Sequence, residues 1–154
     1  MAQLPADALY LSRTDESHLL SCCSPHPILL DDRLWPTVEH YFQAAQFVDE
    51  RLKQQISEET DLAKVRKLGK SWFKKRVDNW KNIRKIYMTR GIYTKCHAHE
   101  AVRQALLETG DQYIVENSLY DYYWGAGRDL RGDNQFGQVL MDVRSKLREE
   151  EQAG

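Results

Sequence analysis

Apolar residues recur along the chain with two different periods, and the switch between them outlines the elements. Ala8 to Ser12 and Ile28 to Trp35 are short apolar runs, and Asp31-Asp32 inside the second suits a tight turn. Trp35-Pro36-Thr37 then opens a helix, with Thr37 as N-cap and Glu39 in the first turn, where a negative charge suits the helix dipole. Val38, Tyr41, Phe42, Ala45, Val48 and Leu52 form one apolar stripe at helical spacing, with Glu39, Gln43 and Gln46 on a separate polar face. A second helix is predicted from about Thr60 to Leu68, with Leu62, Val65 and Leu68 inward and Gly69 as its stop. Asp78 is the predicted N-cap of a basic third helix carrying Trp80, Ile83 and Tyr87. Val102, Ala105 and Leu106 mark a fourth, closed by Gly110, and Gln112 to Glu116 reads as a short strand. A loop with three glycines follows, from Gly125 to Asn134. Phe136, Val139, Leu140, Val143 and Leu147 then give a clear amphipathic helix, with an acidic tail expected to fray.

The pattern predicts a mainly α (α+β) fold, a compact single helical domain with a small β element near the N-terminus. It should occupy residues 1–154, with its core about 9–147. The 154-residue length is enough to bury a core without disulfide staples. No run of 18 apolar residues exists, so no membrane span is expected. The first residues lack a charged start followed by an apolar stretch, so no signal peptide is expected either. Three cysteines, Cys22, Cys23 and Cys96, then read as reduced thiols of a cytoplasmic protein.

The net charge of −1 conceals an asymmetry. Between Lys64 and Lys95 stand twelve Lys or Arg and one acid, Asp78, so that segment carries +11 and the rest −12. A solvated helix face is the ordinary reason for such a block. Its purity also suits an anionic ligand, phosphate or nucleic acid.

Several chemistries are excluded by spacing. Cys22, Cys23 and His26, or Cys96, His97 and His99, lack the paired ligand spacings of a zinc site, so no metal is expected. There is no nucleophile elbow, and the glycine loop is not followed by Lys-Ser/Thr as a P-loop would be. Carboxylates among aromatics lead further: Glu39 in W-P-T-V-E-H-Y-F-Q, and Asp121 in Y-D-Y-Y-W-G. An acid in such surroundings can be tuned for proton transfer, although a first-turn helix residue and a turn residue are the plainer readings of the two. Trp80, Tyr122, Tyr123 and Trp124 are rings able to stack on a flat base or simply to fill a core.

The run Trp35-Pro36-Thr37-Val38-Glu39-His40-Tyr41-Phe42-Gln43-Ala44 resembles the signature of the YbiA-like (NADAR) proteins. The resemblance continues through Gly69-Lys70, Asn79-Trp80, Met88, Lys95, Thr109-Gly110 and Glu116. Asp121, Trp124-Gly125, Gly127, Gly132, Asn134 and Gly137 are similar to the family's D-x-x-W-G-x-G…G-x-N-x-x-G block, and Leu140-Met141 and Arg144 close it. It spans roughly Leu9 to Leu147. Where the family often has an S-N-F-like stretch, this chain reads Ser21-Cys22-Cys23.

The resemblance implies a YbiA-like fold and an N-glycosidase. It would hydrolyse the ribosyl C–N bond of phosphoribosylaminopyrimidine intermediates of riboflavin synthesis and release ribose 5-phosphate. The family also implies alternatives: removal of ADP-ribose from guanine-type bases, or binding of ADP-ribose without hydrolysis. A nucleic-acid module remains the reading that rests on the basic segment alone. Under the first reading Glu39 and Asp121 form the catalytic pair. Trp80 and Trp124 hold the flat base or the sugar, and Lys70 and Lys95 hold the 5′-phosphate. Asn134 joins the amides at a helix N-terminus in meeting an anion or a ribose hydroxyl, and Gly125 lets the backbone approach the ligand. The expected partner is this small phosphoribosyl substrate, with no cofactor and no tight nucleic-acid binding.

Overall fold

The computed structural model describes residues 3–154. In chain order the elements are β1 (Leu9–Leu11), β2 (Ile28–Leu30), β3 (Arg33–Trp35), α1 (Val38–Ala45), α2 (Glu50–Glu58), α3 (Leu62–Leu68), α4 (Trp80–Ala98), α5 (Glu100–Glu108), β4 (Ile114–Glu116) and α6 (Gln135–Ala153). The fold is mainly helical, as the periodicity predicts. The chain divides into two units, one of residues 3–24 with His99–Gly154, the other of Pro25–Ala98.

The Pro25–Ala98 unit begins with an antiparallel hairpin, Ile28 opposite Trp35. Its turn is Asp31-Asp32, both at positive φ, the backbone that a tight hairpin turn demands and that aspartate tolerates. Arg90 of α4 ties this turn down by donating to Asp31 and to the Tyr41 hydroxyl. α1 packs on α2, α3 and α4. Its close contact with α4 depends on Gly91, where a Cβ would come within 2.8 Å of Val38. Rings then run in sequence through the unit, from Trp35 to Tyr41, Tyr87, Trp80 and Phe42.

Three boundaries differ from the expectation. The apolar stripe does not make one helix to Leu52, because the chain leaves α1 after Gln46 and pairs Phe47 with Arg76 in a short antiparallel bridge. Val48, expected inward, is therefore 50% exposed. Asp49 caps the new helix α2 by accepting from the Leu52 amide. Next, α4 starts after Asn79 rather than on an Asp78 cap. Asn79 takes a left-handed backbone, and its carbonyl and amide oxygens accept from Asn82. Finally, α6 stays helical to Ala153, and Arg103 of α5 pairs with Glu151 at 3.0 Å, which anchors the acidic tail.

In the other unit β1 runs parallel to β4, Leu9 beside Ile114 and Leu11 beside Glu116. The β element near the N-terminus thus borrows its partner from about a hundred residues later. β4 is buried at all three positions and packs against α6, which also packs on α5. Gly137 permits that contact: a Cβ there would overlap the Ile114 carbonyl. Among the described residues, no helix is long and apolar enough to cross a membrane.

His40 gives a pH signature to the Pro25–Ala98 unit. It is buried, its Nε2 donates to the Glu59 carbonyl at 2.7 Å, and its Nδ1 pairs with the Thr37 hydroxyl at 2.8 Å. Burial pushes its pKa below the ordinary 6.5, against the opposing pull of the Glu59 carbonyl and of nearby carboxylates. The unfolded chain therefore takes up this proton first as pH falls, so the contribution of neutral His40 is complete above 6.5 and is lost below it. Urea melts should show stability falling between 6.5 and the carboxylate range, with a shallower slope in His40→Gln. Equal slopes in the two proteins would contradict this.

Candidate active site

Glu39 sits in the first turn of α1 and is 0% exposed. The turn is set by Thr37, whose side chain accepts from the His40 amide at 3.2 Å. One helical turn on, Gln43 donates from Nε2 to Glu39 Oε1 at 2.6 Å. Gln46 continues the line, donating to Gln43 Oε1 at 3.0 Å and to the Gly69 carbonyl at 2.9 Å, while its own oxygen accepts from Arg76 Nε at 3.1 Å. The polar face read from the sequence is thus an internal network rather than a solvated surface.

Asp121 lies in the His99–Gly154 part of the other unit, at the head of the glycine loop. Its Oδ1 accepts from the Tyr123 and Trp124 amides at 3.0 and 2.8 Å. Its Oδ2 pairs with the Arg13 guanidinium at 3.3 Å. Asp121 also borders an open depression of about 730 Å³ lined by residues 118–123, in which Leu119, Tyr120 and Tyr122 are exposed.

Two residues beside Asp121 escaped the site assignment from sequence. Glu116, 0% exposed at the end of β4, receives the Arg13 amide at 2.6 Å and the Ser118 amide at 2.9 Å. Arg13 is thus held at its amide by Glu116 and at its side chain by Asp121, while its carbonyl accepts from the Cys22 amide at 3.0 Å. The signal for Glu116 was present, an acid closing the apolar run I-V-E at a family-matching position. Arg13 carried none, because the two acids that hold it are more than a hundred residues away.

The other expected residues divide between the units. Trp124, Gly125 and Asn134 join Asp121 and Glu116. Trp124 is buried, and its carbonyl accepts from the Phe136 amide. A Cβ at Gly125 would come within 2.5 Å of Glu116 Oε1, so the glycine makes room for a carboxylate. Asn134, expected to meet a ligand, spends its side chain on β4. Its Oδ1 accepts from the Glu116 amide at 2.8 Å and its Nδ2 donates to the Ile114 carbonyl at 2.9 Å. The amides of Gln135 and Phe136, at the start of α6, donate to Tyr123 and Trp124. Trp80, Lys70 and Lys95 lie in the unit of Glu39. Trp80 packs 5.3 Å from Phe42 and 5.5 Å from Tyr87. Lys70 is exposed, whereas Lys95 is only 1% exposed.

The basic segment is not one solvated face. Lys74 pairs with Asp49, Arg76 clamps backbone carbonyls at Gly69 and Ser71, and Arg90 holds the hairpin turn. Of these cations only Lys95 is fully buried, and Arg90 stays exposed beside Asp31.

Residues 3–148 match the family model described as the NADAR domain. The chain belongs to the NADAR family. It is 32% identical over 138 residues to a protein named N-glycosidase YbiA from Escherichia coli, covering 90% of this chain and 86% of that one. A Vibrio vulnificus protein named Riboflavin biosynthesis protein VVA0006 is 33% identical over 142 residues, 92% of this chain but 39% of that longer one. The solved NMR structure of E. coli YbiA superposes with a TM-score of 0.84 at 30% identity, covering 99% of this chain and 92% of that one.

Gly125, Gly137 and Asn134 of the NADAR block have a packing reason in this member, set by Glu116 and β4. Asn134→Ala should strand the Glu116 amide and the Ile114 carbonyl, at about 1–3 kcal/mol for each buried group left unpaired. Urea denaturation reads that loss directly. An unchanged stability combined with weakened substrate binding would instead make Asn134 a ligand contact.

Proposed function

We propose that this NADAR protein hydrolyses the ribosyl C–N bond of a phosphoribosylaminopyrimidine, releasing ribose 5-phosphate and the free pyrimidine. At the level of reaction class, the chain is a hydrolase acting on N-glycosyl bonds. The observation that carries the reading is the likeness, over 90% of the chain, to proteins named N-glycosidase YbiA. The riboflavin name of the Vibrio relative supports the choice of substrate.

The chemistry asks for three things. Positive charge grows on C1 and the ring oxygen as the bond breaks, so a fixed negative charge nearby stabilises the transition state. The electron pair of the broken bond goes to the leaving nitrogen, which takes a proton. A water oxygen bonds to C1 and gives up a proton in turn. Two carboxylates divide such tasks in glycosidases. Asp121 suits the first and third: three donors face its oxygens, which favours an acceptor fixed in place and stabilising the cation, with the water steered by it. Glu39 is assigned to the proton on the leaving base.

Trp80 and Trp124 are assigned to the flat parts of the substrate, Lys70 and Lys95 to the 5′-phosphate, and Gly125 and Asn134 to holding the loop behind Asp121. The substrate is a small phosphoribosyl compound, and no tight binding of nucleic acid is proposed. A reducing cytoplasm suits the buried thiols of Cys22, Cys23 and Cys96.

Glu39→Gln and Asp121→Asn test the assignment, since both keep shape and remove charge. Each should keep its melting temperature and lose at least ~10²-fold in turnover on phosphoribosylaminopyrimidine, the low end for a general acid or charge stabiliser. Near-normal turnover in both variants would overturn the paired-carboxylate mechanism.

A further inference from the structure

Four polar side chains of the Pro25–Ala98 unit form a line whose direction is fixed from one end. A guanidinium carries only donors. Arg76 Nε therefore requires the oxygen of Gln46 to face it, at 3.1 Å. That turns Gln46 Nε2 toward three acceptors, the Gly69 carbonyl at 2.9 Å, and the Gln43 carbonyl and Gln43 Oε1, both at 3.0 Å. With its oxygen occupied, Gln43 presents Nε2 to Glu39 Oε1 at 2.6 Å. Flipping either amide would set N–H against N–H at one end and oxygen against oxygen at the other, a cost that burial raises. The orientation of each amide thus follows from the donors and acceptors around it.

From this line we infer that Gln43 is a positioning residue for Glu39, its direction dictated by Arg76 through Gln46. The inference rests on the reading of Glu39 as the residue that handles the proton of the leaving base. Gln43 Nε2 can only donate, so Glu39 Oε1 is committed as an acceptor and cannot carry a proton toward it. The proton that Glu39 gives to the leaving nitrogen sits on Oε2. Gln43 also fixes the carboxylate plane and hence where Oε2 points.

Gly69 is the second, independent part of the device. A Cβ at this position would overlap Gln43 Oε1 and come within 2.8 Å of Gln43 Cδ. The absent side chain is the space in which the Gln43 amide lies. The Gly69 carbonyl in turn accepts from Arg76 at 3.1 Å as well as from Gln46. The loop after α3 therefore supplies both the room and the polarity that orient a carboxylate on α1.

The test compares the pH dependence of kcat and KM on phosphoribosylaminopyrimidine for the wild type, Gln43→Glu, Gly69→Ala and Glu39→Gln. In Gln43→Glu two adjacent carboxyls must share one proton to keep the hydrogen bond, so activity should persist at acid pH and fall as that proton leaves. Near neutral pH kcat should drop about 10–100-fold, taking the range seen for partners that orient metal ligands as the guide, with KM little changed. Gly69→Ala should lower kcat by turning Gln43 away, without the acid shift of the profile. A wild-type kcat and pH profile in Gln43→Glu, beside an inactive Glu39→Gln, would overturn the positioning role while leaving Glu39 in place. An active Glu39→Gln would overturn the reading of Glu39 and this inference with it. If Gln43→Glu fails to fold, Gly69→Ala decides alone, and an unaltered kcat there overturns the inference.

Discussion

Two carboxylates with no exposed surface, Glu39 and Glu116, set the terms on which this chain folds. A buried carboxylate is tolerated only when donors meet it, because removing its water without replacement costs several kcal/mol. Each unit supplies such donors to one acid, one with backbone amides and the other with a side chain. Around Glu116 the amides of Arg13 and Ser118 converge, and Gly125 stands back to leave room. Around Glu39 one donor is a glutamine, itself fixed by another glutamine and an arginine. Gly125, Gly69 and Arg76 are first of all supports of these two groups, and Asn134 holds the backbone that carries one of them.

Local rules made much of the helical framework legible. Thr37 as N-cap, Gly69 as the end of α3 and the two-aspartate hairpin turn are each decided within a few residues. What local rules missed was decided at a distance. The stripe through Val48 and Leu52 has helical spacing, but the bridge between Phe47 and Arg76 breaks the helix, and Arg76 is far along the chain. The parallel pairing of β1 with β4 is hidden for the same reason. Asn79 preceding α4 was overlooked because a left-handed asparagine and an aspartate N-cap are neighbouring signals with similar chemistry.

The candidate site was partly legible. Glu39 and Asp121 were marked by aromatic neighbours and by family-matching motifs. The role of Gln43, inside the same motif as Glu39, was not legible, since it reads only as part of a polar helix face until Gly69 and, through Gln46, Arg76 are folded against it. Asn134 was assigned to a ligand on sequence grounds, and its hydrogen bonds to β4 show how a residue at a marked position can serve the scaffold. The basic segment teaches the same point about charge. Counting cations located a region, but Lys74, Arg76, Arg90 and Lys95 serve paired, clamping or buried positions that counting cannot see.

Oxygen labelling shows which of the two bonds flanking the bridging nitrogen is cut. Turnover of phosphoribosylaminopyrimidine in ¹⁸O-water, quenched promptly and read by mass spectrometry, traces where the water oxygen goes. Attack at C1 predicts label in ribose 5-phosphate and an unlabelled pyrimidine that keeps its exocyclic nitrogen. Label in the pyrimidine, with the nitrogen retained on the sugar, would mean that the bond on the base side is cut and would rule out attack at C1.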